Sequence, residues 1–244
     1  MVPSIYDLQD FYAAPGGRTV RRAIAHHIET WWDSVRGLRV IGIGYAQPYL
    51  DSFLEEAERV ICLAPAAQGS HPWPKSAPNL TALVEETELP LETNSVDRIL
   101  LIHSLEYAEL PSMNLQEIWR VLKSSGRLIV VVPNRRGLWS RAEWSPFGHG
   151  TPYSYDQLRN ILRDQLFVHE RSTSALYMPP TRSKLLRNIG EKLEHTLPYL
   201  LPGIGGVHIV EVSKQIYSGL LKPASNRIII RTRPELAPTP RVGQ

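Results

Sequence analysis

One cysteine, Cys62, stands in 244 residues. An internal disulfide is therefore excluded, and a lone thiol inside an apolar run reads as core packing. Such cysteine usage fits a reducing compartment, so a cytoplasmic location is expected. No apolar run reaches the roughly 18–20 residues that a membrane helix needs. The opening residues lack the charged and apolar regions of a signal peptide, and none is expected. Cys/His spacing suited to a metal is missing, so no metal site is expected. There is neither a P-loop Lys-Ser/Thr nor a Gly-x-Ser-x-Gly elbow. The net charge is only +3, with a pI near 9.0, too weak a bias to argue for nucleic acid.

What is present begins with Arg39–Pro48, RVIGIGYAQP. A β-branched run ends in a glycine turn and a helix is expected at once, over Pro48–Glu58. A strand–glycine turn–helix unit is how α/β proteins bring backbone N–H groups to a nucleotide-like ligand. Before it, Ile5–Thr30 reads as helix around a break at residues 13–17. After it, strands are expected at Arg59–Leu63, Leu80–Val84, Val96–His103 and Arg127–Val132. The continuous apolar run VDRILLIH suits a strand buried on both faces. Residues 64–79 carry four prolines and no helical period, so a loop replaces the usual crossover helix there. Met113–Lys123 reads as helix, stopped by Ser124-Ser-Gly126.

This alternation predicts an α/β protein with a doubly wound, mostly parallel sheet. The second half is less regular. Helices are expected at Tyr155–Leu166 and Ser183–Leu197, and strands at Phe167–Ala175, Val207–Val212 and Arg227–Thr232. Which of the last two closes the sheet stays open. Residues 1–34 form an N-terminal helical segment, 35–233 the main domain with an insertion at about 176–206, and 234–244 a tail.

Three blocks together resemble the class I S-adenosylmethionine-dependent methyltransferases of the small-molecule "type 11" branch. They are RVIGIGYAQP, ETELPLETNSVDRILLIHSLEYAE (Glu86–Glu109) and EIWRVLKSSGRLIVVVPN (Glu117–Asn134). Their order and spacing match over roughly residues 35–135. The wider pattern, including NRRGLWSR and PFGHGTPYS, is similar to a group of methyltransferase-like proteins of α-proteobacteria.

The resemblance implies a seven-stranded Rossmann-like sheet and S-adenosylmethionine as cofactor. It places Gly42, Gly44, Tyr45 and Ala46 around the cofactor's methionine end, and Leu63 and Ala64 beside its ribose. Gly42 replaces the acidic residue usual near the amino group. Ala64 stands where the family has an acid for the ribose hydroxyls, with Gln68 or His71 as substitutes. Glu85 and Glu86 fall near the adenine amino group, Glu85 the better aligned, and Trp73 could roof the base. His103, at the end of the fourth strand, is a cofactor contact or general base. Tyr12 and Arg18 would fold over the cofactor, Arg18 toward its carboxylate.

The loop Asn134–Tyr155 interleaves cations and aromatics, which suits a lid over the acceptor pocket, with His149 and Tyr153 turned inward as further candidates for catalysis. The implied activity is methyl transfer to a small molecule. The competing reading is a catalytically silent methyltransferase-like module that binds a protein partner through the basic segment Arg182–Lys192. A nicotinamide-dependent enzyme fits worst, because the glycine turn lacks a third glycine.

Overall fold

The structure, a computed structural model, describes residues 2–181 and 203–215. Two helices open the chain, α1 (Ile5–Ala13) and α2 (Pro15–Trp31). The break between them is confined to Ala14, because Pro15 is accepted at a helix start where its missing N–H has no partner to lose. Ser4 and Asp7 form a capping box on α1, satisfying donors the first turn leaves free. Then follow β1 (Arg39–Gly44), α2's short successor α3 (Gln47–Leu50), β2 (Arg59–Pro65), β3 (Thr81–Val84), β4 (Val96–Ile102) and α4 (Pro111–Val121). The chain ends in β5 (Leu122–Pro133), α5 (Tyr155–Asp164), β6 (Phe167–Ala175) and β7 (Val207–Lys214).

The seven strands form one sheet in the order β3-β2-β1-β4-β5-β7-β6. β1 to β5 are parallel, while β7 runs antiparallel between β5 and β6. Val207–Lys214 is thus the antiparallel strand the sequence left undecided. Strand alternation sorts the core into two layers. Val40, Leu100, Ile102, Ile129 and Ile209 meet α1 and α2 on one face. Ile41, Ile99, Leu101, Val130 and Val210 meet α4 and α5 on the other.

Two expectations are corrected. The helix expected over Pro48–Glu58 is one turn, α3, tightened into a 3-10 turn at Asp51–Phe53. Asp51 there accepts from the Trp73 indole at 2.9 Å. α4 ends at Val121 rather than at the serines, and β5 begins at once. The cause is remote in sequence. The buried Lys214 ammonium donates to the carbonyls of Trp119 and Leu122, each at 2.8 Å, closing the helix end with a cation. Its third bond is to Asn94 Oδ1 at 2.6 Å. Between β2 and β3 no helix forms, as the prolines foretold. The expected helix at 183–197, the strand at 227–232, the tail and most of the insertion lie outside the described residues.

β7 also carries His208, which is 4 % exposed. Its Nδ1 is 3.4 Å from Ser174 Oγ, the Tyr155 ring packs beside it, and its Nε2 has no partner among the described residues. Burial pushes its pKa from 6.5 down to about 4. Between those values the unfolded chain binds a proton that the folded chain refuses, so stability falls as the pH drops through that window. A full shift would be worth about 3 kcal/mol at most. Denaturation midpoints at pH 7 and pH 4.5 should differ less in H208Q than in the wild type, and an equal difference would assign the acid sensitivity to other groups.

Candidate functional site

In a doubly wound sheet, ligands bind outside the carboxyl ends of the strands where the strand order reverses. Here that point lies between β1 and β4. β1 ends at Gly44 with φ +84, a left-handed turn that favours glycine. The following Tyr45 N–H donates to the Ile102 carbonyl at 3.0 Å. A Cβ on Gly44 would lie 2.2 Å from that same oxygen. Gly42 has a different neighbour, since a Cβ there would stand 2.5 Å from Ala46 Cβ and 2.6 Å from Leu50 Cδ1. Its missing side chain lets α3 lean onto β1. Cys62 lies beneath, its thiol directed at the Gly44 carbonyl and its pKa pushed up by burial to about 12. The thiol is a core group.

β4 delivers His103 into the same space. Its backbone is left-handed, with φ +53, and its ring is fully buried. Nε2 lies 2.8 Å from the Tyr12 hydroxyl on α1, and Nδ1 lies 3.3 Å from Glu106 Oε1. Tyr49 donates in turn to Tyr12 at 3.0 Å. Burial raises the phenol pKa of both tyrosines well above the ordinary value, so each stays neutral. In the tautomer in which Tyr12 donates to Nε2, the imidazole proton is on Nδ1, facing the Glu106 carboxyl without forming a hydrogen bond to it. Neither oxygen of Glu106 accepts a well-formed hydrogen bond, although the residue is 3 % exposed. A buried carboxylate left in that state is costly, and such groups concentrate where chemistry needs them.

Tyr45 packs its ring 5.4 Å from that of Tyr12, and burial lifts its pKa to about 12. Gln68, in the loop after β2, donates to the His103 carbonyl at 2.7 Å, and its own Oε1 is buried without a partner. Glu86 turns toward β4 as well. It accepts from Ser104 Oγ and, at 3.1 Å, from Asn114 Nδ2. Burial raises its carboxyl pKa against the pull of those two bonds.

Other sequence candidates lie elsewhere. Arg18 is exposed and folds back onto the Ala13 carbonyl. Glu85 is exposed, its backbone bridged to Glu88. His71 bonds only the neighbouring Pro72 carbonyl. Leu63 points into the opposite layer of the core. Ala64 is fully buried, and the residues after it, Pro65-Ala66-Ala67, bring no carboxylate.

The loop 134–155 folds across the carboxyl end of β4. Thr151 N–H donates to the Glu106 carbonyl at 2.7 Å, and Tyr107 donates to the Pro146 carbonyl. Phe147 stacks within 4.8 Å of the His103 ring and 6.1 Å of Phe11 on α1. His149 stays at the rim, half-exposed. Tyr153 belongs to the α4/α5 layer, its hydroxyl 3.4 Å from the Leu105 carbonyl. Glu106 and Tyr49 were not picked out by motif. The His-x-x-Glu spacing of 103 and 106 was the one available signal.

Gly44 and Gly37 separate two costs of a side chain at positive φ. Gly37, with φ +69, has nothing near its added Cβ, so G37A should lose about 1 kcal/mol. G44A meets backbone as well and should lose more than about 2 kcal/mol. Thermal unfolding without ligand checks this, and equal losses would mean the β1–β4 contact yields easily.

The sequence pattern of the Methyltransferase domain family matches residues 36–130. No curated protein gives a significant match. Solved structures do match in fold. A Thermotoga maritima SAM-dependent methyltransferase, described as a possible histamine N-methyltransferase, shares 15% identity at TM-score 0.62, covering 86% of this chain and 96% of that one. The [4+2]-cyclase SpnF shares 18% at TM-score 0.54, covering 80% and 81%. A chain from the complex of the Haloferax volcanii Trm112 methyltransferase activator with its methyltransferase shares 15% at TM-score 0.57, covering 87% and 100%. Residues 36–130 thus match the sequence pattern of a methyltransferase domain, and the described residues share their fold with S-adenosylmethionine-dependent methyltransferases of known structure.

Proposed function

We propose that the protein is an S-adenosylmethionine-dependent methyltransferase acting on a small molecule, with His103 as its base. The observation that carries this reading is the buried Tyr12–His103–Glu106 chain at the β1/β4 switch point of a methyltransferase sheet. The groups around it fit the cofactor in kind. The turn Gly42–Ala46 borders the methionine end, the free Gln68 Oε1 is an acceptor for a ribose hydroxyl, and Glu86 is an acceptor for an amino group. When bound, S-adenosylmethionine supplies an electrophilic methyl group on a sulfonium.

The chain's own part is positioning and proton removal. Tyr12 presents its oxygen to the acceptor and passes its proton to His103 Nε2 as it takes the acceptor's proton. Glu106, facing Nδ1, stabilises the imidazolium that results. Tyr49 holds the Tyr12 oxygen in place. The loop 134–155, through Phe147, shields the imidazole from water.

A second reading, a silent module that binds a protein partner, is favoured by two observations. The rings of Tyr12 and Phe147 pack against His103 and those of Tyr45 and Tyr49 against Tyr12, and Ala64 leaves the ribose without its carboxylate. Its expected contact surface, Arg182–Lys192, lies outside the described residues.

Calorimetry with S-adenosylmethionine and S-adenosylhomocysteine separates the two. Binding should occur, at least about tenfold weaker than in a site with the ribose acid, because charge-assisted bonds worth about 1.5–3 kcal/mol each are missing. H103Q should keep that binding while lowering methyl transfer about a hundredfold or more. Absence of binding by either compound would hand the protein to the second reading.

A further inference from the structure

At the opposite, amino-terminal edge of the sheet, a cavity of about 390 Å³ opens beneath the end of α2. Its floor is Arg98 on β4, Arg127 on β5 and Arg171 on β6, and its roof is the stretch from Thr30 to Ser34. Arg98 and Arg127 are paired in register on adjacent strands. Like charges set side by side on one sheet face repel.

The acidic groups nearby do not balance them. Glu211, fully buried, accepts from Arg127 at 3.0 Å, from Arg171 at 2.6 Å and from the Trp32 indole at 2.8 Å. Its acceptor capacity is directed at those three donors. Asp97 is taken by Lys123 at 2.9 Å and by the Arg39 N–H at 3.0 Å. Asp33 lies exposed on the roof, where water screens it. Arg98 therefore has no carboxylate among the described residues. Among the described residues its Nη1 reaches only the Asp97 carbonyl, and its buried Nε has no acceptor. Residues 216–244, which follow β7, carry five lysines and arginines against one acid, Glu235, and so bring little counter-charge.

Three guanidinium groups on one concave floor, one of them with an unused buried donor, match the geometry of a tetrahedral oxyanion. We propose that this cavity binds a compact oxyanion of the phosphate class, as inorganic phosphate or as a small phosphate ester. Arg98 and Arg127 face the anion, and Arg171 is held on the floor by Glu211 and by its contact with the Trp31 ring, 5.0 Å to the centroid. That indole provides an apolar wall for the organic part of an ester. The site lies at the other end of the strands from His103 and does not depend on methyl transfer.

The full-length protein tests this with inorganic phosphate and phenyl phosphate, at an ionic strength held constant with chloride. The readouts are the melting temperature and the Arg Nε–Hε resonances. A saturable rise in melting temperature is expected, with a shift of the Arg98 Nε–Hε signal. R98Q should weaken phosphate binding about tenfold or more, while R163Q, an exposed arginine on α5, leaves it unchanged. Tighter binding of phenyl phosphate assigns the site to an ester lying on Trp31, and equal binding assigns it to phosphate itself. A shift that never saturates, or one equal in R98Q and R163Q, overturns the proposal. Should R98Q not fold, an Arg98 signal in the wild type that phosphate leaves unmoved does the same.

Discussion

The left-handed turn at His103 is the constraint on which the carboxyl edge of the sheet depends. A non-glycine residue at φ +53 carries a cost that its surroundings must repay. They do so from three sides. Gln68 bonds its carbonyl from the β2 loop, Gly44 leaves room for its backbone on β1, and Tyr12 bonds its ring from α1. The same turn starts the one-turn descent that brings Glu106 beneath Nδ1. A residue held so firmly by three separate elements is pre-organised, which is what proton transfer at a fixed atom requires.

That constraint also explains why the glycines of the first motif have two meanings. Read along the sequence, Gly42 and Gly44 suit close approach of a ligand. In the folded chain each is also required by a protein neighbour, Leu50 for one and the Ile102 carbonyl for the other. A short glycine motif reports that something comes close, not what it is. The chain keeps the two glycines its own packing needs and has Ala46, itself fully buried, where a third would stand.

The sheet was legible because buried parallel strands are written as continuous apolar runs, and VDRILLIH and RLIVVV can hardly be anything else. The missing crossover helix was equally plain from four prolines. What stayed hidden was set by partners far away in the chain. The end of α4 depends on Lys214, more than ninety residues later. The closing strand could not be chosen between two β-branched runs, because both satisfy the same local pattern. At the site, His103 and Tyr12 were visible as residue types at the right strand end and in the right helix. Glu106 was visible too but was set aside, since an acid three residues after a histidine bonds within its own turn in most settings. Only the fold shows that its turn is buried and offers it no other donor.

The two ends of the sheet differ in charge, and a net charge of +3 conceals it. At the carboxyl end, Glu86 and Glu106 are buried, and no lysine or arginine among the described residues pairs with either. At the amino end, arginines on three strands outnumber the one buried acid between them. Burial strengthens every uncompensated charge, because less water remains to screen it. The carboxyl end therefore suits a cation, and the donor in the proposed reaction is a sulfonium. The amino end suits an anion. A fold shared with a [4+2]-cyclase does not dictate a reaction. The buried carboxyl groups at one end, with no lysine or arginine partner among the described residues, and the crowded guanidinium groups at the other give each end its own chemistry.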